Sequence, residues 1–529
     1  MHQSPPKSLD LKPFELVLGA ANIISAASLS TATFPTAVQI PAVLRPGSVS
    51  EVQECLRLAA SHDIRLHPIS TGMNWGYGSA VPYADSTLLL DLGRMNRILD
   101  YDDRLGYVVI EPGVTQQQLY DFLQEKGGRY WMDATGSSPS CSIIGNTLER
   151  GFGHTPLSDH FANSCSYQVV LATGEVIETG LGALTGSASR NVFRWGVGPF
   201  IDGLFSQSRL GVVTRMTIWL MPAPEAFLPF FFRCGAPDAL PPLVETLRDL
   251  RMNGILQSAV HIVNDYRVLA GIQQYPWQET HGETPLGPLV LAVLRKRDGF
   301  GAWNGSGALY GPKKMVRTMQ KLLSRTLRPK VDSLNFASER LLSFAKSHSA
   351  ILSPFAGMNL DKTLGLIAPS IDLLRGRPSN HALRSIYWRK KRPIPGLPDP
   401  NSDRCGLLWS APVCSADGES AAKLDQIVRD TLLPGGFEPF VSFTLATPRA
   451  LICVVSIIYD RDIIGEDDRA MTVNRTLNER LLAAGFPPYR LGVQSMEFWD
   501  KHQKLKALSN LETSLDPKVL LSPGHYGLS

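Results

Sequence analysis

The stretch that most limits what this chain can fold into is residues 68–80, Pro-Ile-Ser-Thr-Gly-Met-Asn-Trp-Gly-Tyr-Gly-Ser-Ala. Ile64, Leu66 and Ile69 lead in as a short, partly buried strand. Gly72, Gly76 and Gly78 then alternate with Ser70, Thr71 and Asn74. Glycine permits positive φ and a close approach of main chain to ligand, and successive N–H groups in such a turn form a nest for phosphate oxygens. A tight surface turn is the competing reading. Neither a Gly-x-Gly-x-x-Gly before a helix nor a Gly-Lys-Ser/Thr P-loop is present here.

A second stretch supports the ligand reading. From Asp133 to Ser142 every residue is small or polar, too long a run for a packed element and suited to presenting backbone donors. At 529 residues, two or more domains are expected. The hydrophobic share of 44% and charged share of 19% suit a soluble globular protein. A net charge of +4 with mixed signs gives no case for nucleic acid. The basic run Arg384–Arg392 is expected to be a solvated loop or helix end. Seven cysteines without a Cys-x-x-Cys pair argue against a disulfide scaffold or a zinc site, and fit a reducing, cytoplasmic setting. Met1–Pro13 is polar and proline-rich, unlike a secretory signal. Leu16–Phe34 is too diluted by Ser, Thr, Ala and Asn to span a membrane, ends at Pro35, and is expected to be a buried or packing helix with an irregular exit.

In chain order, Ser48-x-x-Glu51 caps a helix whose Val52, Cys55, Leu56 and Ala59 recur at helical spacing. Strands are expected at Ile64–Ile69, Thr87–Leu92 and Tyr107–Glu111, and a helix at about Thr115–Lys126. A hairpin is expected across Thr173-Gly174, then a helix at Gly203–Ser208 and a strand at Leu210–Leu220. Beyond Pro222 come helical segments at Leu243–Met252, Lys313–Leu327 and Ser338–Ser347. A strand at Leu451–Tyr459 and a helix at Asp468–Ala484 follow. The order is that of an α+β protein, without the regular alternation of a Rossmann sheet.

Several segments, taken together and in order, resemble the flavoprotein family of vanillyl-alcohol oxidase and 4-cresol dehydrogenase. They are Gly76-Tyr-Gly78, Val109–Thr115, Ile143–Gly151, Thr155–Asp159, Gly203–Ser208 with Leu210–Val213, Pro488-Tyr-Arg490 and Asp516-Pro…Ser522-Pro-Gly524. The resemblance covers nearly the whole chain and is loosest at 230–400. It implies a two-part FAD-binding domain, residues 1–222 with a returning tail at 486–529, and an inserted α+β substrate-cap domain at 223–485. By the same resemblance Ser70, Thr71, Gly72, Met73, Asn74, Trp75, Gly76 and Tyr77 cradle the FAD pyrophosphate. Glu111, Pro112, Gly113, Ser142, Ile143, Asn146, Glu149, Gly151, Asp159, Val212 and Arg490 line the rest of the cofactor.

Tyr77, Tyr489 and Arg490 match the family positions that grip a substrate phenolate. Two hydroxyls and a guanidinium favour the ionised ring oxygen, and a hydride leaves the para benzylic carbon readily only from that ion, giving a neutral quinone methide. Water addition or ring closure would follow, with O₂ or an electron-carrier protein taking the electrons; a homodimer is compatible with this reading. Other readings keep the fold: a flavoenzyme acting on a non-phenolic alcohol or biosynthetic intermediate, or a flavin-binding protein without catalysis.

The sequence also departs from the family. Leu407 stands where relatives tether the flavin through His or Tyr, so FAD is expected to be non-covalent; Cys141, His154 and Cys405 are the nearby candidates for an unusual link. Ser137 replaces the acid that oxidases place beside flavin N5. Arg449-Ala450 replaces a His-His pair, with Arg449 facing either the substrate or water, and His525 stands where relatives carry Lys or Arg.

Overall fold

The structure, a computed structural model, describes residues 9–25, 32–338, 360–497 and 506–527. The expected helix Ser338–Ser347 lies almost wholly outside the described residues.

The first sheet follows from short apolar runs separated by turns. Strands β1 (Ile23–Ser25), β2 (Ala42–Leu44), β3 (Leu66–Ile69) and β4 (Leu88–Asp91) lie in the order β1-β2-β4-β3, with β2 and β3 each parallel to β4. Helix α1 (Lys12–Leu18) precedes them, and α2 (Val49–His62) packs Val52, Cys55, Leu56 and Ala59 against the sheet. Ser48 accepts the Glu51 N–H, and the Glu51 carboxylate accepts the Gly47 N–H at 2.7 Å, so the cap expected from the sequence forms one residue displaced.

One expectation fails here. Leu16–Phe34 is not a single buried helix. The helix ends at Leu18, Gly19 takes φ +78°, β1 follows, and Leu16 is 89% exposed. Glycine at that position stops the helix, and pairing with β2 then fixes the next residues as strand.

The second sheet has the order β5-β6-β10-β8-β9, from β5 (Ile98–Asp102), β6 (Tyr107–Ile110), β8 (Ser164–Val170), β9 (Val176–Glu178) and β10 (Val212–Trp219). A small pair, β7 (Tyr130–Trp131) with β11 (Met221–Pro222), sits beside it. Helices α3 (Gln116–Glu125) and α4 (Ile143–Leu148) contribute Leu119, Leu123, Ile143 and Ile144 to its core.

The third sheet has eight strands. They are β12 (Ala226–Cys234), β13 (His261–Asn264), β14 (Trp303–Gly311), β15 (Ser333–Phe336), β16 (Cys405–Ser410), β17 (Val413–Ser415), β18 (Phe440–Thr447) and β19 (Ala450–Asp460). The path runs β15-β12-β14-β13-β18-β19-β16, with β17 also on β19. Period-two alternation splits its residues between two faces. Ile262, Val441, Phe443, Cys453, Val455 and Leu408 enter the largest core with α5 (Leu240–Met252) and helices Lys313–Leu327, Gly418–Leu432 and Glu466–Ala483. The opposite face carries His261, Ser442, Thr444, Val454 and Trp409, all of which line a cavity.

The basic run also departs from expectation. Trp388, Arg389 and Lys390 are buried. Arg389 pairs with Glu438 at 2.8 Å, and Lys390 with Asp460 and Asp462 at 2.5 and 2.7 Å. The acids that draw these cations inward lie far along the chain: Glu438 just before β18, Asp460 at the end of β19 and Asp462 just after it. All seven cysteines are unpaired and buried. Among the described residues no helix is long and apolar enough to cross a membrane.

Candidate active site

The glycine loop leaves β3 and turns back on itself: Asn74 O accepts the N–H groups of Tyr77 and Ser79 at 3.1 and 2.9 Å. Gly76 has φ +78°, and a Cβ there would stand 2.7 Å from the Trp409 indole. Loop and β16 therefore touch through main chain, and the Trp409 main-chain N–H donates to Gly76 O at 2.9 Å. Ser142 knits the second polar stretch to the first. Its N–H donates to Thr71 Oγ1 at 3.1 Å, its hydroxyl donates to Pro112 O at 2.6 Å, and it caps α4 by accepting from Gly145 N–H at 2.9 Å.

These contacts frame a cavity of about 420 Å³ between the first two sheets and the third sheet, within the size range of small-molecule and cofactor sites. Ser70, Thr71, Gly72, Met73, Asn74, Trp75 and Tyr77 line it, as do Ser137, Ser142, Asn146, Glu149, Gly151, Val212, Tyr489 and Arg490. Gly76 lies behind the wall, against Trp409. Glu111, Pro112, Gly113, Ile143 and Asp159 also stand outside it. Glu111 pairs with Arg97 at 2.7 Å, Gly113 packs on Gly93 O, Ile143 is core, and Asp159 bridges Phe152.

Tyr77, Tyr489 and Arg490 come together from opposite ends of the chain. Val493 N–H donates to Tyr77 O at 2.8 Å, and Tyr489 N–H to Ala411 O at 3.1 Å, so the returning segment is tied to both loop and cap. The Arg490 guanidinium lies 4.3 Å over the Tyr77 ring and donates to Asn74 Oδ1 at 2.5 Å. Burial raises the pKa of Tyr77 and of Tyr489, which keeps both hydroxyls protonated as donors. Burial alone would lower that of Arg490, but Glu149 and the two tyrosines reverse this and hold the guanidinium charged. Glu149 lies 3.2 Å from Arg490 Nε and accepts the Tyr526 hydroxyl at 2.6 Å.

The tail reaches the same place. The backbone of Leu520–Ser522 pairs with Leu66, His67 Nδ1 meets Ser522 Oγ at 2.8 Å, and His525 Nε2 lies 3.8 Å from Glu149.

Leu407 is fully buried among Trp388, Phe440 and Ile458, behind the cavity wall. Of the other linking candidates, Cys141 and His154 line the cavity and Cys405 does not. Burial raises the Cys141 thiol and lowers His154 to about 4, and Cys141 Sγ sits 3.2 Å from Ser137 Oγ. Arg449 is exposed at the β18–β19 turn, away from the cavity.

Several wall residues escaped the sequence reading. His261 stacks on His154 at 4.1 Å, and burial makes it neutral. Arg267, at the start of helix α6 (Asp265–Ile272), faces in from the cap, while Gln207 donates to Tyr489 O at 3.0 Å. Strand alternation across β13 would have placed His261, whereas Arg267 at a helix start and Gln207 in a bend carry no such signal.

The residues present suit FAD. Side chains of Ser70, Thr71, Asn74, Ser142, Asn146 and Ser522 offer polar contacts, and buried His525 Nδ1 lacks a hydrogen-bond partner among the described residues. Residues 40–180 match the FAD binding domain model. The chain is 40% identical over 98% of its length, and 97% of the other's, to 1'-carboxy-chondrochloren decarboxylase of Chondromyces crocatus. It is 29% identical to the 4-cresol dehydrogenase [hydroxylating] flavoprotein subunit of Pseudomonas putida, covering 91% and 86% of the two chains. A 4-ethylphenol oxidase from Gulosibacter chungangensis, solved with isoeugenol, superposes with a TM-score of 0.88 at 27% identity over 98% and 96% of the chains. With this fold and these relatives, the chain belongs to the vanillyl-alcohol oxidase/4-cresol dehydrogenase family of FAD-dependent enzymes.

Proposed function

We propose that this enzyme oxidises a para-substituted phenol at the benzylic carbon by way of a quinone methide. The observation that carries the reading is the meeting of Tyr77, Tyr489 and Arg490 in one cavity wall. Two tyrosines kept protonated by burial can donate to a ring oxygen, and the charged guanidinium beside them favours its ionised form. Glu149 holds Arg490 in place and charged, and limits its pull on any bound anion. Bound FAD supplies the two-electron acceptor for the benzylic hydride. Ser137 cannot act as a carboxylate base, so the acidic proton lost is the phenol's own, before oxidation. The relatives named for 4-cresol and 4-ethylphenol support the phenol.

The quinone methide then takes water, closes a ring, or loses a neighbouring carboxyl group. The relative named as a decarboxylase favours the last. In that route the C–CO₂ bond breaks, its electron pair forms the side-chain double bond, and the ring regains a phenolate. With Leu407 behind the wall, FAD is held non-covalently. A division at 222/223 and 485/486 and reoxidation by O₂ or a carrier protein complete the proposal.

Anaerobic mixing with 4-ethylphenol tests it. The flavin should bleach, and Tyr489→Phe and Arg490→Ala should each slow bleaching several-fold or more, on the order of 1–3 kcal/mol for a lost charge-assisted bond. Unchanged rates in both variants would remove the phenolate site.

A further inference from the structure

Among the described residues Arg267 is the one Arg or Lys beside Arg490 in the cavity wall; it is half-buried, and its surroundings differ from those of the other inward-facing cations. Arg389, Lys390, Arg209 and Arg490 each stand against carboxylates. Arg251 donates to the carbonyls of Gln257, Ser258 and Ala446. Arg267 has neither kind of partner among the described residues. Its one side-chain bond is Nη1 to Ser456 Oγ at 3.4 Å. Asp265, two residues earlier, turns instead to Arg295 at 3.4 Å. Burial pulls the Arg267 pKa down to about 10, with no acid opposing it. A guanidinium withdrawn from bulk water without a counter-charge is costly to keep, and this one borders the cavity.

Its position relative to the phenol-gripping trio follows from the register. Ser456 is the cross-strand partner of Trp409, so their side chains are neighbours on the cavity face. The Trp409 ring meets the Tyr77 ring edge-on at 5.2 Å, and Arg490 covers Tyr77. The contacts therefore run in the order Arg490, Tyr77, Trp409, Ser456, Arg267, with Ser456 behind the wall and the other four lining it. A flat ligand lying along the indole meets the trio with one end and Arg267 with the other. The indole Nε1 is itself buried without an acceptor among the described residues.

We propose that Arg267 is the receptor for a carboxylate on the side chain of the phenolic substrate, a reading that rests on the phenol function above. The planar guanidinium matches a carboxylate with two parallel N–H donors, and Ser456 behind it accepts the remaining Nη1 bond. The preferred substrate class is thus a phenol whose para side chain carries a carboxylate, rather than a simple alkylphenol. The relative named for a carboxy compound agrees with this class.

The test uses two ligands that cannot be oxidised at a benzylic carbon, because oxygen occupies that position: (4-hydroxyphenoxy)acetate and 4-methoxyphenol. Each is titrated calorimetrically, and by its effect on flavin absorbance, into the FAD-loaded protein. The carboxylate ligand should bind at least ten-fold more tightly. Arg267→Gln should abolish that advantage and leave 4-methoxyphenol binding within two-fold, while Arg267→Lys should keep part of it. If wild type binds both ligands equally, or Arg267→Gln weakens both alike or alters the flavin spectrum before ligand is added, Arg267 is not the carboxylate receptor and the phenol site stands. Binding of neither ligand by wild type would instead remove the phenol reading, and this proposal with it.

Discussion

Replacing Glu149 with Gln isolates the charge that Glu149 supplies, because the amide keeps the size of the side chain and an acceptor for Tyr526. The carboxylate is 22% exposed, and it lines the cavity. Burial by itself would raise its pKa from the usual 4.5, but Arg490, with His525 and Tyr526, outweighs burial and holds it at about 2. The folded value lies below the unfolded one. The stabilisation is therefore fully present above 4.5 and is lost as pH falls toward 2. At about 1.4 kcal/mol per unit, the gap corresponds to roughly 3 kcal/mol at neutral pH. Linkage removes about 1.4 kcal/mol of this from wild type by about pH 3.5. Urea unfolding of the FAD-loaded protein, followed by tryptophan fluorescence, should place Glu149→Gln about 3 kcal/mol below wild type at pH 7. At about pH 3.5 that difference should shrink to about 2 kcal/mol. A difference that stays the same at both pH values, or is absent at pH 7, would refute the assignment of Glu149 as the counter-charge of Arg490.

Two further outcomes are expected. Gly76→Ala combines a positive-φ position with a Cβ placed 2.7 Å from Trp409, whereas Gly254→Ala has φ +70° and nothing within 4 Å. Thermal unfolding should show Gly254→Ala costing about 1 kcal/mol and Gly76→Ala about 1–3 kcal/mol more from overpacking; equal losses would mean that the loop and Trp409 do not press together. Acid precipitation should release yellow flavin into the supernatant, and colour retained in the pellet would show a covalent link.

The parts of the site that could be read from the sequence are those whose chemistry is local. Gly72, Gly76 and Gly78 declare a backbone need within a few residues, and Asp133–Ser142 declares an unpacked polar lining. The trio of Tyr77, Tyr489 and Arg490 was legible only through the family pattern, since no spacing rule joins positions so far apart. Arg267, His261 and Trp409 were hidden because each faces the cavity through the alternation of a strand, or the start of a helix, in an antiparallel sheet assembled from distant segments. Arg389 and Lys390 misled for the same reason: Glu438, Asp460 and Asp462 are not visible as their partners until β18 and β19 are in place. Leu16–Phe34 misleads because its apolar residues suit a helix, while Gly19 and the pairing of β1 with β2 decide the outcome.

The pairing of Leu520–Ser522 with Leu66 bears on the order in which the molecule can be completed. Ser522 is synthesised 455 residues after His67, the side chain it meets, so the edge of the first sheet stays open while most of the chain is still being made. Cofactor capture is thereby deferred until late in translation, and a nascent chain stalled before this segment would present an unpaired strand edge to chaperones instead of a finished dinucleotide pocket.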